Sequence, residues 1–280
     1  MTTDLRKAIG STMDWEIKRY SLAGEPEEYK DRVAVELPLE ITVNGQPLVS
    51  LMRLPGMDEE LAVGFCLTER VIKDVSQVRL TRYREAPGES VGGNGGSRHG
   101  KVIELDLESP QVRQHYSTPY QVCAGFRGTD NSTIEDLCLG QITTQLRVRE
   151  EVLYGLGDKL TRGQEIFQGT AGAHGVGIFT SSGELVVATE DVGRHNALDK
   201  AVGWCAMRGI HLTDKILFNS GRISCAMALK AVRTGVPLLV SMAAVTSLVL
   251  DVAEKAGLTV IGFSNGRRFS VYTHPERIVP

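Results

Sequence analysis

Apolar residues recur at every second position through "AVELPLEITVNGQPLVSLMR", residues 34–53, on both sides of Asn44-Gly45, and this period of two predicts a β-hairpin. An Asn-Gly pair accepts the two successive positive φ angles that a type I′ turn needs. In "PGMDEELAVGFCLTERVI" the spacing lengthens to the helical one, with Asp58 as a cap, acids in the first turn, and Leu61, Phe65 and Val71 near one face. Residues 1–30 are polar and weakly periodic and read as an arm of uncertain order. The glycine-rich "ESVGGNGGSRHG" has no strand leading directly into it and no Gly-Lys-Ser/Thr closing it, so it reads as a hairpin loop before strand "KVIELDL" and not as a phosphate loop.

From about residue 150 the pattern alternates. A helix through "EEVLYGLGDKL" and a hairpin of "GVGIFT" and "ELVVATE" around Ser181-Ser182-Gly183 come first. Helix 195–208, strand "KILFNS", helix 224–234, strand "VPLLVSM", helix 246–256 and strand "LTVIGFS" follow. Strands and helices joined by short links predict a mostly parallel sheet with helices on both faces. The expected organisation is an arm at 1–30, a smaller β-rich domain at 31–147, and an α/β domain at 148–280.

Ligands of such sheets bind beyond the carboxyl ends of the strands, where helix N-termini converge. Each unusual polar cluster of this half falls at such an end. Glu190, Asp191, Arg194, His195 and Asn196 follow "LVVAT"; "NSGRIS" follows "KILF"; "AAVTS" follows "PLLVSM"; "SNGRRF" follows "LTVIGF". One rim is thereby expected to gather Arg194, Arg222, Arg267 and Arg268. Free backbone N–H groups and arginine forks suit phosphate oxygens, so a phosphate-bearing ligand is expected. Taken singly, Asp191 and Asn196 read as helix caps, His195 as a satisfied structural histidine, and Ser220-Gly221-Arg222 as a common turn. A buried hydrogen-bonded network is the competing reading of the whole set.

With 280 residues and 42% hydrophobic content, the chain can build one large or two modest cores. Its formal charge of −3, with acids and bases interspersed, gives no polycationic face for nucleic acid or anionic membrane. No apolar run approaches the roughly 20 residues of a bilayer span, and the first 20 residues hold no apolar signal core, so a cytoplasmic location is expected. Five cysteines, an odd number without paired spacing, are expected to be free thiols. Four lie in apolar or helical patterns; Cys123 lies among turn residues in "TPYQVCAGFRGTDN". Arg127, four residues on, is a source of positive charge that lowers a thiol pKa. A reactive and an inert loop thiol are equally compatible with this stretch.

The strings "GTAGAHGVGIFTSSGELVVATEDVGRHNALDKAVG", "FNSGRIS", "TSLVLDVAEKAGLTVIGF" and "GRRFSVYTHPERI" resemble the formate dehydrogenase accessory sulfurtransferase family, FdhD. "ELPLEITVNGQPLVSLMRLPGMDEELAVGFCLTERVI" is similar to that family's N-terminal pattern, so the likeness runs from about residue 33 to the end. The resemblance implies a cytidine-deaminase-like mixed α/β sheet and a homodimer. It implies a sulfurtransferase: a loop cysteine takes persulfide sulfur from a cysteine desulfurase and passes it to a molybdenum or tungsten pterin guanine dinucleotide cofactor, used by formate dehydrogenase. By position Cys123 matches the sulfur-carrying loop. His174, Asp191, Arg194, His195, Asn196, Ser220, Gly221 and Arg222 match the signature stretches expected to bind the cofactor. Thr246, Ser247, Phe263, Arg267 and Arg268 are taken with them.

The chain also departs from that pattern. The family loop reads Cys-Gly-x-Cys-Gly, whereas this chain has "CAGFRG", with Arg127 in place of the second cysteine. Ala226 stands where an acid is common, and Val245 where proline is usual. The missing thiol keeps open a second reading, a chaperone that binds and delivers the molybdenum cofactor without sulfur chemistry. A zinc deaminase is set aside, because the His-x-Glu and Pro-Cys-x-x-Cys ligand pattern is lacking and no permanent metal is expected.

Overall fold

A computed structural model describes residues 10–22, 24–85, 100–110 and 141–280. The smaller part is a four-stranded sheet ordered β4-β3-β6-β5, built from β3 (Leu37–Val43), β4 (Gln46–Arg53), β5 (Val78–Glu85) and β6 (Lys101–Leu107). The β3/β4 turn has Asn44 at φ 49° and Gly45 at φ 78°, as expected for Asn-Gly. Asn44 also bonds the backbone N–H and carbonyl of Leu107, tying the turn to β6.

Helix α1 (Asp58–Thr68) lies between this sheet and the larger part of the molecule. Its Leu61, Phe65 and Cys66 pack on Leu39, Ile41 and Leu105. Asp58 does not cap it: the N-cap is Met57, at φ 56°, and Asp58 is buried in an ion pair with Arg53 at 3.0 Å. Val71 lies past the helix, in a turn where the N–H groups of Val71 and Ile72 both donate to the Cys66 carbonyl.

The larger sheet has six strands in the order β13-β12-β11-β10-β8-β9. They are β8 (His174–Thr180), β9 (Leu185–Asp191), β10 (Lys215–Asn219), β11 (Leu238–Ser241), β12 (Thr259–Gly262) and β13 (Ser270–Val271). β10, β11 and β12 run parallel, whereas β8 is antiparallel to both neighbours and β13 to β12. The sheet is therefore mixed; the hairpin β8/β9 inserts beside β10 instead of standing apart from a parallel array. One face packs on α5 (Arg194–Ala206), α6 (Cys225–Thr234) and α7 (Ser247–Ala256), with Leu217, Leu239 and Val260 among the buried residues. The alternate residues Ile216, Phe218, Leu238, Val240 and Ile261 face α2 (Glu150–Tyr154) and α3 (Leu156–Arg162), against Leu153, Leu156 and Leu160. With both faces covered, the central strands are continuously apolar.

The helix expected through 150–160 is two helices meeting at Gly155, a weak helix former, which lets Leu153, Leu156 and Leu160 all reach the core. A short helix, α4 (Glu165–Thr170), is additional; the Glu190 carboxylate accepts from the Ile166 and Phe167 N–H groups in its first turn. Most of the expected arm is ordered as an antiparallel ribbon of β1 (Thr12–Arg19) and β2 (Glu27–Ala34). Its period of two, Met13, Trp15 and Ile17 between charged residues, is present in the sequence but diluted by charge. Two short strands, β7 (Val148–Arg149) and β14 (Ile278–Val279), pair in parallel.

Candidate functional site

Because β8 is antiparallel to both β9 and β10, strand β9 points the same way as β10, β11 and β12. Four carboxyl ends and the start of β8 thus share one edge of the sheet. From β9 to β12 there are four inter-strand steps, about 19 Å at the usual spacing. The loops along this edge are stitched together by backbone hydrogen bonds: Ile223 N–H to Ala244 O at 3.0 Å, Thr246 N–H to Ile223 O at 3.2 Å, and Phe263 N–H to Ala243 O at 3.1 Å.

The Ser220-Gly221-Arg222 turn is held from beneath. Asn219, fully buried, donates through Nδ2 to Gly221 O at 2.6 Å and accepts from Gly221 N–H at 3.1 Å. The buried Ser241 hydroxyl donates to the same carbonyl at 2.6 Å. Ser220 in turn fixes the start of β8, its Oγ accepting from Gly175 N–H at 3.0 Å and lying 3.5 Å from His174 Nδ1. Gly221 permits a close approach: a Cβ there would stand 3.2 Å from Arg194 Cδ and 3.3 Å from His174 Nδ1. The structure therefore brings His174, Arg194, Ser220 and Gly221 together. Arg222 is exposed beside them, and Thr246 and Ser247 are exposed at the start of α7.

Three helices of ten or more residues begin on this edge, capped by Gly193, Ser224 and Thr246, none with a side-chain cap hydrogen bond. Their first-turn N–H groups keep the donor character that favours anions. At the far end of the edge Phe263 holds φ 53°, rare for a bulky residue, and the residue is 43% exposed. Arg267 and Arg268 are exposed next to it, and their N–H groups donate to Asn265 Oδ1.

Burial first, and then the Arg194 charge, lowers the pKa of His174, with Asp191 opposing. His195 is pushed down to about 3 by burial, then by the Lys230 and Arg194 charges, so its imidazole is neutral at physiological pH. Its Nε2 is buried with no hydrogen-bond partner among the described residues, as is the Ser224 hydroxyl.

Asp191 and Asn196, expected on the rim, turn inward. The Asp191 carboxylate accepts from Lys200 Nζ at 2.7 Å, Leu54 N–H at 3.1 Å, and Gly193 N–H and Asn196 Nδ2 at 3.0 Å each. Asn196 and Lys200 also donate to the Met52 and Leu54 carbonyls. This part of "EDVGRHNALDK" fastens the larger sheet to the end of β4. A second buried network joins α5, α6 and α1: Lys230 Nζ lies 2.8 Å from Asp199, 2.9 Å from Glu69 and 2.8 Å from the Thr68 hydroxyl. Burial pushes Asp199 up to about 6, with Lys230 drawing it back.

Sequence reasoning held Asn219 and Asn265 within the quoted turns without giving either a role, and it missed Ser241 and Lys230. The available signal was a polar residue ending an apolar strand ("LLVS") or interrupting the apolar face of a helix. Cys123, Arg127, Cys138 and nearly all of the glycine-rich stretch lie outside the described residues. Cys66 and Cys205 are free thiols, and burial pushes Cys205 up to about 12.

Fold and edge together define a mixed α/β protein with an arginine-bearing rim at one end of its larger sheet. A family model described as FdhD/NarQ matches residues 34–279, and the chain belongs to the FdhD/NarQ family. It is 34% identical over 265 residues to the sulfur carrier protein FdhD of Nocardia farcinica, covering 94% of this chain and 93% of that one. It is 37% identical over 262 residues to the protein of the same name from Streptomyces avermitilis, covering 89% of each. For the counterpart from Sulfurisphaera tokodaii the identity is 35% over 273 residues, covering 94% of this chain and 98% of that one. Among solved structures, a putative formate dehydrogenase accessory protein from Desulfotalea psychrophila superposes with a TM-score of 0.74 at 23% identity. That likeness covers 96% of this chain and 99% of the other, and it speaks to the fold.

Proposed function

We propose that this protein is a sulfur carrier in formate dehydrogenase maturation, taking persulfide sulfur on Cys123 and delivering it to a molybdenum or tungsten pterin guanine dinucleotide bound on the rim. Relatives at 34–37% identity carry the name sulfur carrier protein, which supports the sulfur role. The observation that carries the cofactor role is the common edge, where three helix N-termini and Arg194, Arg222, Arg267 and Arg268 are strung along about 19 Å. An extended dinucleotide with its pyrophosphate is matched by such a row, and the exposed Phe263 offers a ring face for a base.

In this reading the Cys123 thiolate attacks the outer sulfur of a desulfurase persulfide, forming the Cys123 S–S bond and releasing the desulfurase thiolate. Arg127 favours the anionic forms of Cys123. A persulfide is more acidic than its parent thiol and is mostly anionic at neutral pH, and its terminal sulfur is a soft donor suited to the cofactor metal. Arg222 and Arg194 hold phosphate, and the neutral His195 adds no charge. Accepting the sulfur in this way needs a single thiol, so Arg127 in place of a second cysteine is compatible with the loading step.

Mass spectrometry after incubation with a cysteine desulfurase and cysteine tests the proposal. One sulfur atom is expected to be added to the wild-type chain at Cys123 and none to Cys123→Ala, and the variant is expected not to restore formate dehydrogenase activity in cells lacking their own copy. An unmodified Cys123 in a chain that still binds nucleotide would replace the carrier with the cofactor chaperone.

A further inference from the structure

Four lysine and arginine side chains are buried among the described residues: Arg53, Lys200, Lys230 and Arg277. The first three each meet a buried carboxylate, Arg53 that of Asp58 at 3.0 Å, Lys200 that of Asp191 at 2.7 Å and Lys230 that of Asp199 at 2.8 Å. Arg277, 7% exposed, has no carboxylate at ion-pair distance among those residues. Its guanidinium donates only to neutral oxygens, from Nη1 to the Thr259 hydroxyl at 2.9 Å and from Nη2 to the Ile142 carbonyl at a long 3.4 Å, and among the described residues its buried Nε has no partner. A buried cation without a counter-charge is costly, and such charges are normally paired.

The same arginine lines a cavity of about 340 Å³ at the edge of the larger sheet opposite the rim. β12 begins there at Thr259, and Gly257 closes α7, whose ten residues set the cavity about 15 Å from the rim. Arg147, His274 and Glu276 also line it, so two guanidinium groups stand against one carboxylate. That carboxylate is engaged, with Glu276 Oε1 lying 3.1 Å from His274 Nδ1. The last carbonyls of α7 would repel an anion, but Glu254 O accepts from His274 Nε2 at 3.2 Å and Ala256 O from Ile142 N–H at 2.8 Å. We propose that this cavity binds a short dicarboxylate, with one carboxylate drawn to Arg277 and the other to Arg147. A guanidinium fork matches a carboxylate with parallel hydrogen bonds, and a cavity of this size suits a small organic acid and not a lone inorganic ion. Thr144 and Leu146 add a polar and an apolar stretch of wall. The bound acid supplies the counter-charge that Arg277 lacks. The inference is independent of the sulfur-carrier reading and of the rim.

Calorimetric titration of succinate into the full chain tests it. Wild type is expected to bind one succinate per chain, and succinamide, which keeps the length without the charges, to bind about tenfold or more weakly. Arg277→Met removes the buried charge and is expected to abolish succinate binding. Arg147 is exposed, so Arg147→Ala leaves the core intact, and it is expected to weaken succinate about tenfold or more. Arg222→Ala, altered on the rim, is expected to bind succinate as wild type does. Absence of succinate binding, equal binding of succinamide, or wild-type binding by Arg147→Ala would overturn the proposal. Loss of succinate binding in Arg222→Ala would overturn it too, by placing the acid on the rim.

Discussion

His195 occupies the first turn of α5 with 8% of its surface exposed, among Arg194, His174, Lys230 and Glu69. Its pKa is pushed down to about 3, against about 6.5 in an unfolded chain. Between those values the unfolded chain binds the extra proton, so this residue's contribution to stability is intact above about pH 6.5 and is lost as the pH falls. At pH 5 the loss is about 2 kcal/mol relative to neutral pH. Replacing His195 with Gln removes the titration, so denaturant melts at pH 7 and pH 5 are expected to show a smaller acid loss in His195→Gln, by about that amount; equal losses would mean the imidazole is not held neutral. The sequence supplied the identities of this neighbourhood but not their directions. "EDVGRHNALDK" placed its polar groups at a strand end, yet which of them face outward depends on β4, far away in the chain, whose backbone at Met52 and Leu54 engages Asn196, Asp191 and Lys200.

At the scale of elements, the crossing of α1 and α5 governs how the smaller sheet meets the larger. Gly64 and Gly203 lie at the crossing, where a Cβ would come within 1.8 Å of Asp199 O and 1.9 Å of Glu60 O, respectively. Both obstacles are backbone atoms and cannot rotate aside. Gly203→Ala is therefore expected to cost about 3 kcal/mol or more in chemical denaturation, whereas Gly209→Ala, with nothing within 4 Å but a φ of 66°, carries only the smaller backbone strain. The central strands were legible as apolar runs because both sheet faces are covered, and α5, α6 and α7 because their spacing is helical. What escaped was decided by tertiary contact: the break at Gly155, the short α4 held by Glu190, and a charged ribbon whose pairing no apolar run announces. Met57 stands at the cap, while Asp58, expected there, is buried in the ion pair with Arg53.

In the whole molecule, two buried polar networks link the smaller sheet and α1 to the larger sheet, and the arginine rim lies at the same end as the Asp191 network. Such networks cost desolvation and return definition, since removing one partner of a buried pair leaves a charge uncompensated. Their positions explain why so much of the signature sequence is turned inward: it shapes and anchors the edge, along which Arg222, Thr246, Ser247, Arg267 and Arg268 stay exposed. Among the described residues no helix is long and apolar enough to cross a membrane. The alternation of strands and helices made the edge legible in outline; the insertion of β8 between β9 and β10, which sets His174 beside Ser220, was not, because strand order is a property of pairing between distant segments.

Calorimetric titration of guanosine diphosphate into the full chain tests the rim most directly. Wild type is expected to bind one nucleotide per chain with an affinity that falls as salt is raised, Arg222→Ala to bind about tenfold or more weakly, and guanosine without phosphates to bind more weakly than the diphosphate. Absence of diphosphate binding, or equal binding by wild type and Arg222→Ala, would contradict the assignment of this edge as the cofactor-holding site.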